Sequence, residues 1–354
     1  MNYGRITYLF ALCVFSLFSF YMYQPYSFTQ ADPGWMVWTT DSLLNDFDLD
    51  LKNQLSNDPT RASDQTSLGQ GGQWYPLHEW LISLLAVPFY AVFGVNGCLV
   101  LNIILSATLV LYAFKLCVVL GLRENISFIS TALVTLSSSI LLMSYSFSVD
   151  VLGAMFVLAS AYYLLKQNFK LSALAFSFAV FARINSVVLL PAICLYIFIL
   201  KDKRSEALRG YTTVGLPAFI LWALINHLMF GGPLETSYDN WQRVSDGVLV
   251  PAEIPLSYTF SFSRLYSLLF SDSGVFTCSP ASLLGFVLGG YSLFRKAEPE
   301  SIFLISYCFF LLTFYTVFSE VYQFATYRYF LSMMGISVVF LASAIEIVFR
   351  KQEN

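Results

Sequence analysis

The sequence predicts an all-α polytopic membrane protein, with about ten transmembrane helices and a long first outer loop that carries interfacial helices. Three observations lead there. Of the 354 residues, 57% are hydrophobic and 12% charged, with a mean hydropathy of +0.66, whereas a soluble globular domain carries about 25% charged residues. Apolar runs of about 17–25 residues recur between short polar breaks, which is the helical spacing and not the alternation of a membrane barrel. The basic residues also fall unevenly between alternate loops.

Taken in order, residues 6–23 form the first span, behind Arg5. The run ends in Tyr21, Tyr23, Pro25 and Tyr26 where a signal peptide would place small residues for cleavage, so it reads as an uncleaved anchor. A loop over 24–94 follows. Its middle, Ser56 to Gln73, is rich in Ser, Asp, Gln and Gly and reads as irregular. Trp74 to Phe93 is apolar but carries Pro76 and Pro88 and is short for a crossing, so it is expected as an interfacial or re-entrant helix. Nine further spans are expected at 96–119, 126–145, 148–165, 171–183, 185–200, 211–229, 274–294, 301–318 and 329–349. Residues 171–200 are one apolar stretch broken by Arg183, Asn185 and Pro191, which fits two short helices. The chain reads as a single membrane domain over 1–354, with outer loops at 24–94 and 230–273.

With the amino terminus inside, 13 of the 19 basic residues collect at inner helix ends. Lys52, Arg61, Arg183, Arg243, Arg264 and Arg328 remain outside, beside most of the acidic residues. This predicts both termini in the cytoplasm and polar chemistry on the outer face of the cell inner (cytoplasmic) membrane. Cys13, Cys117, Cys194 and Cys308 fall inside spans, and Cys98 and Cys278 are not expected to pair. His78 and His227 are too few for a histidine metal centre. No phosphate-binding loop, dinucleotide fingerprint, serine-hydrolase elbow or nucleic-acid patch is present.

The polar stretch Ala31–Asn53 concentrates five carboxylates, Asp32, Asp41, Asp46, Asp48 and Asp50, next to a membrane-grade sequence. A solvated loop accounts for Asp46, Asp48 and Asp50, although their alternation also suits a hard cation, leaving a divalent metal open. Asp32 stands near the membrane face, ahead of the apolar Trp35-Met36-Val37-Trp38 that reads as an interfacial helix. Other charged residues gather at the same predicted face: Asp150, Arg183 with Asn185, Arg264, Glu320 and Arg328. Polar residues at interfacial helix ends, and arginines that snorkel, are the ordinary explanation. Arg183 and Arg328 adjoin apolar spans, where a charge costs about 2.5–3.5 kcal/mol and calls for a partner. An anionic phosphate is such a partner.

The run DPGWMVWTTDSLLNDFDLDLKN over 32–53 resembles the first outer loop of the GT-C fold glycosyltransferases, which include protein O-mannosyltransferases and aminoarabinose transferases that use polyprenyl-phosphate sugars. Asp32 stands at the Asp of the usual Asp-Glu pair, and Pro33 replaces the Glu. Looser similarities follow in order at 75–94, at FARINSVVLLP over 181–191, at FGGPLETSY over 230–238, at LLFSDSGVFTCSP over 268–280 and at YRYFL over 327–331. The resemblance implies inverting transfer of a sugar from a polyprenyl-phosphate donor to a lipid, glycan or protein acceptor; no cofactor is expected, with a divalent metal left open. Asp32 would be the catalytic carboxylate. Asp150, Arg183, Asn185, Arg264, Glu320 and Arg328 would bind substrate, with Arg183 and Arg328 on the phosphate. A lipid-linked glycan polymerase or ligase is a close alternative, and a secondary transporter a more distant one, which the lack of an internal repeat disfavours.

Overall fold

The computed structural model describes residues 2–22, 31–55, 65–245, 248–251, 260–291, 293, 298–318 and 326–353. The chain is a helical membrane bundle. Among the described residues, five helices are long and apolar enough to cross a membrane: α1 (Tyr3–Met22), α5 (Val95–Val119), α11 (Arg204–Phe230), α14 (Pro299–Phe318), and α15 (Leu331–Glu353) with the 3-10 turn before it, Thr326–Phe330. Shorter apolar helices fill in between them: α4 (Leu81–Phe93), α8 (Val149–Leu165), α9 (Phe169–Ala182), α10 (Leu189–Ile199, behind a 3-10 turn at Ile184–Val188) and α13 (Pro280–Leu284, continued by a π turn to Gly289).

α8 is buried almost all round, from Val149 to Leu165, because Gly153, Ala154, Ala159, Ser160 and Ala161 let its neighbours approach closely. Its tightest partner is α9. Ser160 and Ser172 exchange hydroxyl-to-carbonyl bonds across that contact at 3.0 and 2.8 Å, and the Ser172 hydroxyl lies 2.6 Å from Tyr211 of α11. Interhelical hydrogen bonds of this kind hold helices together where lipid removes the hydrophobic drive. α15 runs through the middle of the bundle against α5, α6 (Glu124–Leu136), α8 and the π turn. At the last contact a Cβ on Gly289 would overlap the Phe340 carbonyl, so only glycine permits the approach. By contrast α11 turns Phe219, Ile220, Leu224 and Leu228 outward, as a lipid-facing helix does.

The structure departs from the expected elements in four places. The third predicted span is interrupted after Leu136. Ser138 caps a new short helix, α7 (Ser139–Met143), whose last carbonyls accept from buried Asn102 at 2.9 Å. The eighth span does not begin at residue 274: Ser279 and Pro280 start α13, and α12 (Phe262–Phe270) stands within the second loop. Trp74 to Phe93 is not one helix. Trp74–Pro76 is a strand, β2, and the helix begins only at Leu81. Pro76 cannot donate to a ladder, and it sits on an edge strand where that costs nothing.

β2 belongs to the fourth departure, a small antiparallel sheet that the helical reading did not include. Its order is β2-β1-β3-β4, with β1 at Thr66–Leu68, β3 at Trp241–Ser245 and β4 at Val248–Pro251. The pairing of Thr66 with Gln242 and Ser67 with Trp241 stitches the first loop to the second. Residues 56–64 of the stretch expected to be irregular lie outside the described residues.

The acidic loop is an architectural device. α2 (Ala31–Asn45) packs Met36 and Val37 onto α4, where Ser83 donates to the Met36 carbonyl at 3.0 Å. Tyr90 of α4 donates to Asp41 at 3.1 Å. Trp35, Trp38, Leu51 and Trp74 form a satellite apolar cluster. Around it the Asp48 carboxylate accepts from Ser42 and from the Asp50 amide, and Asp50 accepts from the Lys52 and Trp74 amides. Asp46 accepts from the Asn53 and Gln54 side chains. Burial, with Asp50 and Asp48 nearby, pushes the Tyr75 phenol up and keeps it neutral. Among the described residues all six cysteines are free thiols, and no cluster of His, Cys, Asp and Glu has metal-ligand form.

Candidate active site

The site is built around one interruption. α9 ends at Ala182, Arg183 is extended, and the chain resumes as the Ile184–Val188 3-10 turn. Extension at Arg183 leaves the Ile184 amide without a helical acceptor, and Glu79 Oε1 takes it at 2.7 Å. Three consecutive residues then face three spaces. Arg183 and Asn185 line a polar cleft, while Ile184 lines both a second pocket and an apolar groove.

In the polar cleft, Asp150 stands in the first turn of α8. Ser148 caps that helix, accepting from the Asp150 amide at 3.1 Å and donating to its carboxylate at 3.0 Å. The Asp150 side chain is 3% exposed; Oδ1 pairs with Arg183 Nη1, and Oδ2 is 3.8 Å from Arg328 Nε. Both guanidiniums lie over the Tyr329 ring, 4.7 and 4.9 Å from its centre. Tyr315 stacks on Tyr329 at 5.4 Å and accepts from Asn185 Nδ2. Gly153 makes room for this arrangement, since a Cβ there would sit 3.2 Å from Arg183 Cβ. A pair of arginines oriented by a buried carboxylate and an aromatic plane can hold an oxyanion by bidentate hydrogen bonds.

Of the residues expected from sequence, Asp150, Arg183, Asn185 and Arg328 therefore meet in one cleft. Arg264 does not line it: its Nη1 donates to the carbonyls of Thr316 and Val317 at 2.8 and 3.1 Å and ties α12 to the end of α14. The backbone of Asp32 opens α2, but its side chain, like all of Glu320, lies outside the described residues. Sequence reasoning missed Tyr329, Tyr315 and Glu79. Glu79 carried a signal, being a carboxylate inside the apolar run WYPLHEWL.

The apolar groove runs between α9 and α11, walled by Phe176, Val180, Phe181, Leu216, Phe219 and Trp222. Phe181, Ile184 and Trp222 are shared with the second pocket, which also holds His78, Glu79, Asn226 and Tyr238. There the Tyr238 hydroxyl lies 3.0 Å from His78 Nδ1, and Ser237 donates to the Leu77 carbonyl at 2.6 Å.

No family model and no curated protein matches the chain by sequence. Solved structures do match by shape. The apo oligosaccharyltransferase of Archaeoglobus fulgidus aligns over 98% of this chain and 51% of its own, at a TM-score of 0.64 and 10% identity. ArnT from Cupriavidus metallidurans bound to undecaprenyl phosphate aligns over 98% and 61%, at 0.63 and 9%. The apo ArnT aligns over 91% and 57%, at 0.59 and 12%. The chain thus spans between half and about three fifths of the length of the structures it matches.

Proposed function

For a chain that carries the fold of the GT-C glycosyltransferases, we propose that it transfers a sugar from a polyprenyl-phosphate donor to an acceptor hydroxyl at a membrane face. One observation carries the reading: the break at Arg183–Asn185 sets Arg183 beside Arg328 in a polar cleft while its middle residue lines a long apolar groove. An isoprenoid chain needs an apolar, membrane-level groove, and its phosphate needs fixed cations at the groove's end. The likeness to ArnT, whose structure holds undecaprenyl phosphate, supports the same pairing.

In this mechanism the acceptor oxygen attacks the anomeric carbon, the bond from that carbon to the phosphate oxygen breaks, and the polyprenyl phosphate leaves with the electron pair. Arg183 and Arg328 stabilise the charge that grows on the leaving phosphate. The acceptor proton passes to a carboxylate, for which Asp32 is our assignment. Attack opposite the leaving group inverts the anomeric centre. Asp150 keeps the two guanidiniums aimed and does not itself meet the sugar. The site faces the periplasm or cell exterior in this reading, as the partition of basic residues implies. The likeness to an oligosaccharyltransferase favours, as a second reading, a longer lipid-linked glycan as donor.

The test is reconstitution. Purified protein in lipid nanodiscs is incubated with radiolabelled polyprenyl-monophosphate sugars and crude envelope acceptors, with nucleotide sugars as control. Label should move from the lipid donor only, and Arg183→Ala and Arg328→Ala should abolish it. Transfer from the nucleotide sugar alone, or solute uptake into sealed vesicles without transfer, refutes the proposal.

A further inference from the structure

We infer that the second pocket, beside the Arg183 break, is the subsite for the hydroxyl-bearing glycosyl ring, with Glu79 and Asn226 as its hydrogen-bonding residues. The inference rests on the glycosyltransferase reading above and adds to it the place and chemistry of sugar selection.

Two buried polar atoms point to a ligand. Asn226, next to His227 in α11, is 8% exposed, and its Nδ2 donates to nothing. Glu79 spends Oε1 on the Ile184 amide, whereas Oε2 is buried and accepts from nothing. Leaving a buried donor or acceptor unmade costs about 1–3 kcal/mol each, and both atoms belong to residues that line the same pocket. A group that donates to Oε2 and accepts from Nδ2 satisfies both, and a hydroxyl does each from one oxygen.

Charge and shape narrow the class. The Glu79 carboxylate in the wall disfavours an anion, so the phosphate belongs on the other side of the break with Arg183 and Arg328. Trp80 and Trp222 supply broad apolar surface of the kind that packs against the C–H faces of a pyranose. The pocket also shares Phe181, Ile184 and Trp222 with the apolar groove, so a lipid held in the groove brings the sugar it carries, rather than its phosphate, beside this pocket. Glu79 then links the two halves of the donor, touching the sugar through Oε2 and fixing the phosphate-binding turn through Oε1.

The experiment compares the affinity of nanodisc-embedded protein for polyprenyl phosphate with that for polyprenyl phosphates carrying mannose, glucose or galactose. The wild type should prefer at least one glycosylated lipid over the bare phosphate. Glu79→Gln keeps an oxygen for the Ile184 amide while replacing Oε2 by a donor, and Asn226→Leu removes the orphan donor. Each should lose the preference, a weakening of about ten- to hundredfold for the sugar-bearing lipid, and for Asn226→Leu the affinity for bare polyprenyl phosphate should be unchanged. Asn226→Leu should also leave the thermal midpoint equal or raised, which a structural asparagine would not. A preference that survives both substitutions, an equal loss for both lipids, or a wild type with no preference overturns the inference while leaving the lipid-donor reading intact. If no lipid binds at all, that reading fails first and the inference falls with it.

Discussion

Asp150→Ala is the most direct probe of the cleft. Its carboxylate is 3% exposed and pairs with Arg183, itself 11% exposed, with Arg328 Nε at 3.8 Å. Truncation leaves the Arg183 guanidinium beside Val157, Leu311 and the tyrosines that line the cleft. Breaking a buried pair from one side costs about 3–5 kcal/mol, because a buried charge loses its counterion. For a chain of this length one kcal/mol shifts the thermal midpoint by roughly 1–2 °C, by scaling from smaller domains. The expected fall, read by tryptophan fluorescence in detergent, is thus on the order of 5 °C. Adding Arg183→Met to the same chain removes the stranded charge and fills its volume with an apolar side chain, so the double variant should recover most of the loss. A single variant within about 1 °C of wild type, or a double variant no better than the single, refutes the view that Asp150 serves to hold the arginines.

Three further predictions bear on the mechanism. Asp32→Asn should lower transfer by about 10²–10⁴ with unchanged expression and insertion; wild-type turnover would move the base to another carboxylate. Gly215 lies in the groove wall with open space where its side chain would be, so Gly215→Trp should raise KM for the lipid donor and leave kcat within a factor of about two. A fall in kcat alone would remove the groove from donor binding. Reporter fusions at Lys52, Arg243 and Asn354 should place the first two outside and the last inside, and an outside carboxy terminus would require an odd number of crossings.

The bundle was legible because lipid imposes a simple rule: apolar runs must close their own backbone hydrogen bonds, so run lengths give helices. Arg183 and Asn185 stood out for the same reason, since polar side chains inside such a run require a special environment, and the structure breaks the helix at that point. Asp150 and Arg328, 178 positions apart in the numbering, were legible as charged helix ends on one face, but not as an acid between two arginines. Nothing local records which ends meet. Glu79 was missed because its partner is an amide 105 residues away. The sheet was missed because strands of three residues are too short to show alternation. Asp46, Asp48 and Asp50 read from sequence as a solvated loop whose alternation also suits a cation, and in the fold these oxygens accept hydrogen bonds from neighbouring amides and side chains.

The strand pairing of Thr66 with Gln242 bears on how the chain is born. A lone two-stranded hairpin is marginal in water, and β1 with β2 is only that until β3 has left the ribosome. Some 165 residues are synthesised in the interval, most of the bundle among them, so bundle insertion precedes closure of its polar cap. A nascent chain halted before Trp241 should expose the Thr66–Pro76 segment to added protease, and one released after Pro251 should protect it. Protection of the shorter chain would mean that the hairpin stands without its partner strand. Otherwise the maturation step is the docking of two distant loops, and the pocket over the Arg183 break comes into being only then.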